Sequence, residues 1–251
     1  MQFYFGRPRK FRLDVPRQEA IPPVKIERHM RKIRHWTLPY VGSRLGEILY
    51  QRARPKDPWL TRHANRALET LLQPTDVGLE FGSGRSTLWF ARRISRLTSV
   101  EHNQSWYSHV TRLISEEGIK NVTYLSRTPA KDEDNETSAY VSVAGELSDA
   151  SLDFVLIDGA QRALCARATL AKLRPGGILT IDNANWFLPC RSIAPNSRSI
   201  SDGPLPGVWS EVYSVISKWR VLWTSNGVSD TAIFFKPCGK MSGSSDEHFG
   251  I

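Results

Sequence analysis

Gly82 and Gly84 stand one residue apart around Ser83, and an acid, Glu101, follows about twenty residues on. Two glycines so spaced let the backbone turn sharply and approach a ligand with no Cβ in the way. The start of a following helix leaves free N–H groups facing the turn, which suit a carboxylate, a phosphate or a nucleoside edge. An acid at the position of Glu101 can accept hydrogen bonds from ribose hydroxyls. Two further apolar runs end on polar residues, one on Asp158 and one on Asp182-Asn183. The turn falls short of the full GxGxxG fingerprint, because Thr87 holds the third small position. The plain alternative is a tight βα turn that holds no ligand.

Apolar periodicity gives the elements that must position these residues. Residues 77–81 suit a buried parallel strand, 85–96 a helix, and 97–100 the next strand, closed by Glu101. Upstream, 42–54 and 59–72 read as helices, broken apart by Pro55 and Pro58. Downstream, a helix over 106–117 ends at Gly118, and 122–125 is a third strand. Residues 127–140 read as a polar, solvated insertion. A fourth strand over 152–158, a helix over 163–173, a Pro175-Gly176-Gly177 turn and a fifth strand over 178–182 follow. Residues 186–207 read as a loop long enough to face a substrate. A helix over 208–218 and two strands, 219–224 and 231–235, complete the pattern. Strand and helix alternate, so the core is expected to be α/β, a doubly wound, mostly parallel sheet. Ligands of such sheets bind beyond the carboxyl ends of the strands. That rule brings residues 82–84, Glu101, Asp158, Asp182 and Asn183 to one edge.

Charge is uneven along the chain. Residues 1–56 carry 14 Lys/Arg against 4 Asp/Glu, a net of +10, so the remainder sums to −1 within a total of +9. Residues 1–56 therefore read as a basic, partly helical extension, with a candidate helix over 25–36, able to touch RNA or another anionic surface. Residues 57–237 read as the globular domain, and 238–251, rich in Gly and Ser, as a disordered tail. No apolar run approaches the ~18 residues of a membrane helix, and the start lacks the apolar core of a secretory signal. Cys165, Cys190 and Cys238 form no disulfide or zinc pattern, which fits a cytoplasmic location. Oligomeric state is not written in these features.

The pattern resembles the class I S-adenosylmethionine-dependent methyltransferases, which have a Rossmann-like, seven-stranded sheet with an antiparallel last strand. The residues that carry the resemblance are 80–84 (EFGSG), 99–101 (SVE), 153–159 (DFVLIDG) and 173–179 (LRPGGIL), with a closing hairpin over 219–236. The resemblance implies S-adenosylmethionine as methyl donor. Gly82, Ser83 and Gly84 would lie against its methionine and ribose parts. Glu80 would order that loop or reach the donor's amine through water, and Glu101 would hold the ribose diol. His102 or Asn103 would flank the adenine, with Ser126 and Arg127 near its edge. Asp158 would contact donor or acceptor, and it is the candidate base for an acceptor hydroxyl.

Motif order is also similar to the catechol and caffeoyl-CoA O-methyltransferase branch. That similarity implies a divalent metal, Mg²⁺ or another hard cation, on Asp158, Asp182 and Asn183, whose oxygens suit it. One departure stands out. Gln161 occupies the place of the branch's lysine base, and the Arg162 after it cannot act as a base near neutral pH. The expected activity is O-methylation of a small-molecule or saccharide-like acceptor. The alternatives are RNA methylation through residues 1–56 and a catalytically silent Rossmann-like interaction module.

Overall fold

A computed structural model describes residues 37–129 and 137–238. The proposed helix over 25–36, most of the acidic insertion and the tail fall outside these residues. The described part contains seven helices, α1 (Leu38–Ala53), α2 (Arg62–Leu71), α3 (Arg85–Ala91), α4 (Gln104–Glu116), α5 (Ala139–Ser142), α6 (Arg162–Thr169) and α7 (Val208–Ile216). Seven strands accompany them, β1 (Val77–Phe81), β2 (Arg96–Glu101), β3 (Val122–Ser126), β4 (Leu152–Ile157), β5 (Leu173–Asp182), β6 (Arg220–Ser225) and β7 (Asp230–Phe235).

The strands form one sheet in the order β3-β2-β1-β4-β5-β7-β6. Only β7 runs antiparallel to its neighbours, β5 and β6. The architecture is the expected Rossmann-like α/β sheet with one reversed strand. Period-two alternation sorts the core into two layers. On β4, Phe154 and Leu156 pack with Leu68, Trp89 and Phe90 of α2 and α3. Val155 and Ile157, between them, pack with Leu164 of α6 and Val212 of α7. All six residues of β4 are buried, as a central parallel strand requires.

Register sets the level of the functional edge. Phe81 pairs with Val100 on one side and Ile157 on the other, and Ile157 pairs with Ile181. The next residue on each strand is therefore Gly82, Glu101, Asp158 and Asp182, one row at the carboxyl ends. Two backbone bonds of 2.9 Å, Gly82 N to the Val100 carbonyl and Asp158 N to the Phe81 carbonyl, hold that row together.

Several boundaries differ from expectation, each for a local reason. The first helix starts at Leu38, earlier than predicted, because Thr37 caps it through Oγ1 and Pro39 sits in its first turn. Helix α3 is short, since Arg96 already pairs with Val77 as the start of β2. Pro175-Gly176-Gly177 lies within β5 rather than before it: Gly176 N donates to the Lys236 carbonyl and Lys236 N to the Gly177 carbonyl, both at 2.9 Å. The end of the supposed solvated insertion is ordered. Tyr140 on α5 is fully buried and packs on Phe81, ring centroids 5.3 Å apart. Helix α1 rests on the sheet's far edge, where Asn226 donates to Glu47 at 3.0 Å.

Candidate active site

The glycine turn is a crowded junction as much as an open one. Gly82 has φ +93°, and a Cβ there would meet the Gly159 nitrogen at 2.6 Å. The turn after β1 and the turn after β4 thus pack backbone on backbone, and Gly82 is demanded by that approach. Gly84 is different. Its backbone is extended, and a Cβ would make only ordinary contact with Trp106 at 3.8 Å.

Ser83 connects the turn to the end of β2. Its N–H donates to Glu101 Oε2 at 3.1 Å and its Oγ to the same oxygen at 2.8 Å. The backbone N–H groups of His102 and Asn103 donate to Glu101 Oε1, each at 2.8 Å. Glu101 is thereby oriented by four donors at the mouth of the turn. Ser83 Oγ also lies 2.6 Å from Tyr124 Oη, and Trp106 Nε1 donates to the Ser83 carbonyl at 2.8 Å. The His102 ring stands edge-on to Tyr140 at 5.7 Å, with Nδ1 3.2 Å from Glu101 Oε1. Asn103 spends its side-chain oxygen on capping α4, accepting from Trp106 N at 2.9 Å. Ser126 bonds Gln104 at 3.0 Å, and Arg127 N donates to the Glu101 carbonyl at 2.8 Å, so both border the same site.

Beneath the turn, Glu80 is fully buried. Its Oε2 accepts from Thr87 Oγ1 and Ser99 Oγ, both at 2.6 Å, and Thr87 Oγ1 accepts in turn from Gly84 N at 3.0 Å. Glu80 Oε1 is buried without a hydrogen-bond partner. Burial pushes this carboxyl up to about 7, against the pull of its hydroxyl donors. Glu80 thereby ties β1 to Ser99 of β2 and Thr87 of α3 beneath the turn.

At the other end of the row, the structure corrects the metal expectation. Arg162, at the start of α6, fills the place between Asp158, Asp182 and Asn183. Its Nη2 donates to Asp158 Oδ1 at 2.9 Å, and its Nη1 to Asn183 Oδ1 at 3.1 Å and to the Asp182 carbonyl at 2.6 Å. The Asp182 carboxylate turns away to β7, where Oδ1 accepts from Thr231 Oγ1 at 2.8 Å. The three oxygens do not converge on a vacant centre, and the residues do not fit a divalent ion while the guanidinium lies among them. Among the described residues no group of three or more His, Cys, Asp or Glu is placed to hold a metal.

The two acids differ in surroundings. Asp158 keeps 31% of its side-chain surface open, and burial raises its carboxyl although Arg162 pulls it down. Burial, and then the neighbouring Asp158 charge, pushes Asp182 up to about 7. His63 is exposed on α2. Trp209 is core, stacked on Phe187 at 4.9 Å. The loop over 186–207 is tied down: Ser192 Oγ and Trp223 Nε1 bond the buried Asp230 at 2.9 and 2.7 Å. Beside it lies a pocket of about 400 Å³ lined by Pro189, Cys190, Arg191, Ser192, Trp223 and Ser225.

Sequence reasoning missed Tyr124, Arg85 and the engagement of Arg162. Tyr124 lies mid-strand, where nothing distinguishes it from a packing residue. Arg85 sits 5.1 Å over the Trp59 ring, itself stacked on Trp106 at 6.5 Å, and its Nη1 is buried without a hydrogen-bond partner. For Arg162 a signal existed: it follows Asp158 by four residues, the spacing of an ion pair across a helix start.

Residues 79–184 match the family model of a methyltransferase domain. No curated protein matches the chain. Among solved structures, a protein of Corynebacterium glutamicum superposes with TM-score 0.51 at 14% identity, over 80% of this chain and 90% of that one. A methyltransferase from Geobacter sulfurreducens gives TM-score 0.47 at 16% identity, over 80% and 90%. A methyltransferase-like protein from Silicibacter pomeroyi gives 0.47 at 20%, over 72% and 90%. Among the described residues no helix is long and apolar enough to cross a membrane. The stretch that builds the site is thus similar to a methyltransferase domain, and the strand order is that of a Rossmann-like α/β fold.

Proposed function

We propose that this chain methylates a hydroxyl oxygen of a small-molecule or saccharide-like acceptor, with S-adenosylmethionine as the donor. The observation that carries the reading is the junction of Ser83 and Glu101, which sets a carboxylate at the mouth of a glycine turn at the ends of β1 and β2. The donor set fits such a molecule. Glu101 offers a ribose diol a carboxylate oxygen once Ser83 Oγ turns to Tyr124, and the buried Nη1 of Arg85 beside the turn lacks a partner of its own. When bound, S-adenosylmethionine supplies an electrophilic methyl group on a cationic sulfur.

The rest of the work falls to the chain. Methyl transfer is an in-line displacement, so holding the acceptor oxygen in line supplies much of the acceleration. A hydroxyl acceptor must also lose its proton. Asp158 suits that role. Its Oδ1 is held by Arg162, which fixes the carboxylate and leaves Oδ2 for the acceptor O–H. Burial raises its carboxyl and so strengthens it as a base. His102, packed on Tyr140 beside Glu101, walls the nucleoside side.

The test is transfer of an isotopically labelled methyl group to a panel of phenolic and saccharide hydroxyl acceptors. Asp158→Asn is expected to lower kcat by about 10²-fold or more, the usual range for a general base, with donor affinity changed little. Labelling of RNA or of nitrogen only, unaffected by Asp158→Asn, would overturn the O-methylation reading.

A further inference from the structure

All five N–H groups of Arg162 are spent inside the protein. Nε donates to the Gly159 carbonyl at 3.0 Å, and Nη1 donates to the Asp182 carbonyl at 2.6 Å and Asn183 Oδ1 at 3.1 Å. Nη2 donates to the Asp158 carbonyl and to Asp158 Oδ1, each at 2.9 Å. A guanidinium has five N–H donors and no acceptor, so this one has nothing left for a ligand. It is also sheltered, with 17% of its side chain exposed, and the Phe187 ring lies 5.9 Å from its central carbon.

The acceptors are drawn from two strand ends. Asp158 and Gly159 follow β4, while Asp182 ends β5 and Asn183 follows it. A bound divalent cation with the same ligands would join the same two segments and neutralise the same charge. It would need Asp158 Oδ1 and Asn183 Oδ1 within about 2.0–2.6 Å, the hard-cation range. Those two oxygens already accept from the guanidinium, and a dication there would stand against a positive charge that is never lost near neutral pH.

We propose that Arg162 is a built-in cation that replaces a divalent metal: it holds the β4 and β5 ends in their working arrangement and closes to metal the oxygen cluster of Asp158, Asp182 and Asn183. Arg162 acts through Asp158 and Asn183 and is a positioning residue. The inference stands on this hydrogen-bond set and does not depend on which acceptor is methylated. It identifies a latent cation site that removal of one side chain opens.

Mn²⁺ is the probe, titrated into the full chain and followed by electron paramagnetic resonance of the free ion. The wild type is expected to take up no Mn²⁺ that Asp158→Asn abolishes. Arg162→Gln, checked for native far-ultraviolet circular dichroism, is expected to gain one saturable Mn²⁺ site. Adding Asp158→Asn to that variant is expected to remove the site again, while Arg162→Lys, which keeps the charge, stays closed to metal. Wild-type uptake of one Mn²⁺ that is lost with Asp158→Asn would overturn the proposal, and so would a folded Arg162→Gln protein that gains no site. Should Arg162→Gln not fold, the wild-type titration decides alone.

Discussion

Ser83 Oγ stands between two partners, donating to Glu101 Oε2 at 2.8 Å and lying 2.6 Å from Tyr124 Oη. The serine uses a lone pair of the carboxylate that the proposed function assigns to the ribose diol. Tyr124 offers the hydroxyl a second place to go when Glu101 is engaged. Tyr124→Phe removes that refuge and is expected to weaken S-adenosylmethionine binding several-fold, with stability changed by no more than about 1 kcal/mol, one hydrogen bond's worth. Ser83→Ala frees the carboxylate and is expected to bind at least as tightly as the wild type. Calorimetric titration of both variants checks the pair. Weaker binding by Ser83→Ala than by Tyr124→Phe would contradict this role.

The two glycines of the turn are predicted to differ. Gly82→Ala drives a Cβ against the Gly159 nitrogen, a backbone atom that cannot rotate away, at a positive φ. It is expected to cost more than about 2 kcal/mol or to prevent folding. Gly84→Ala meets only the Trp106 ring at ordinary contact distance, and its midpoint of thermal unfolding should stay near the wild-type value. Equal melting of the two variants would count against the packed junction.

Glu80 predicts a pH dependence of stability. Its folded-state carboxyl is raised from 4.5 to about 7 by burial. Between those values the folded chain binds more protons at this site than the unfolded chain. Stability from Glu80 is therefore greatest below about pH 4.5 and falls as pH rises towards 7. At about 1.4 kcal/mol per unit, the loss is on the order of 3 kcal/mol. Denaturant unfolding of the wild type and Glu80→Gln at several pH values between these limits should show the variant with the flatter profile. Parallel profiles would remove the assignment.

Arg85 carries a buried Nη1 with no hydrogen-bond partner beside the turn, and burial lowers its guanidinium. A bound carboxylate would satisfy it. Arg85→Ala is expected to weaken S-adenosylmethionine about tenfold and to leave methylthioadenosine, which lacks the carboxylate, bound as before. Equal weakening of both ligands by calorimetry would assign Arg85 to packing alone.

Legibility in the sequence followed the range of the forces involved. The sheet was readable because β4 and β5 are apolar runs bounded by turn residues, and the row of Gly82, Glu101, Asp158 and Asp182 follows once those strands lie in parallel register. The Pro175-Gly176-Gly177 segment was misread as a turn because its pairing partner, Lys236, lies sixty residues on and leaves no local mark. Tyr140 looked like part of a solvated loop because its polar neighbours outweighed it, while the cavity it fills is built by β1 and α6. The metal expectation went astray at Arg162. Three oxygen ligands in the right order say nothing about a fourth side chain that reaches back four residues to occupy their centre.

The Ser83–Glu101 junction is proposed to hold a nucleoside-bearing methyl donor. Calorimetric titration of the full chain with S-adenosylmethionine, beside NAD⁺ as the competing dinucleotide, tests it most directly. One saturable site for S-adenosylmethionine is expected, none for NAD⁺, and at least tenfold weaker binding by Glu101→Ala. No heat with S-adenosylmethionine, or binding that Glu101→Ala leaves untouched, would contradict it.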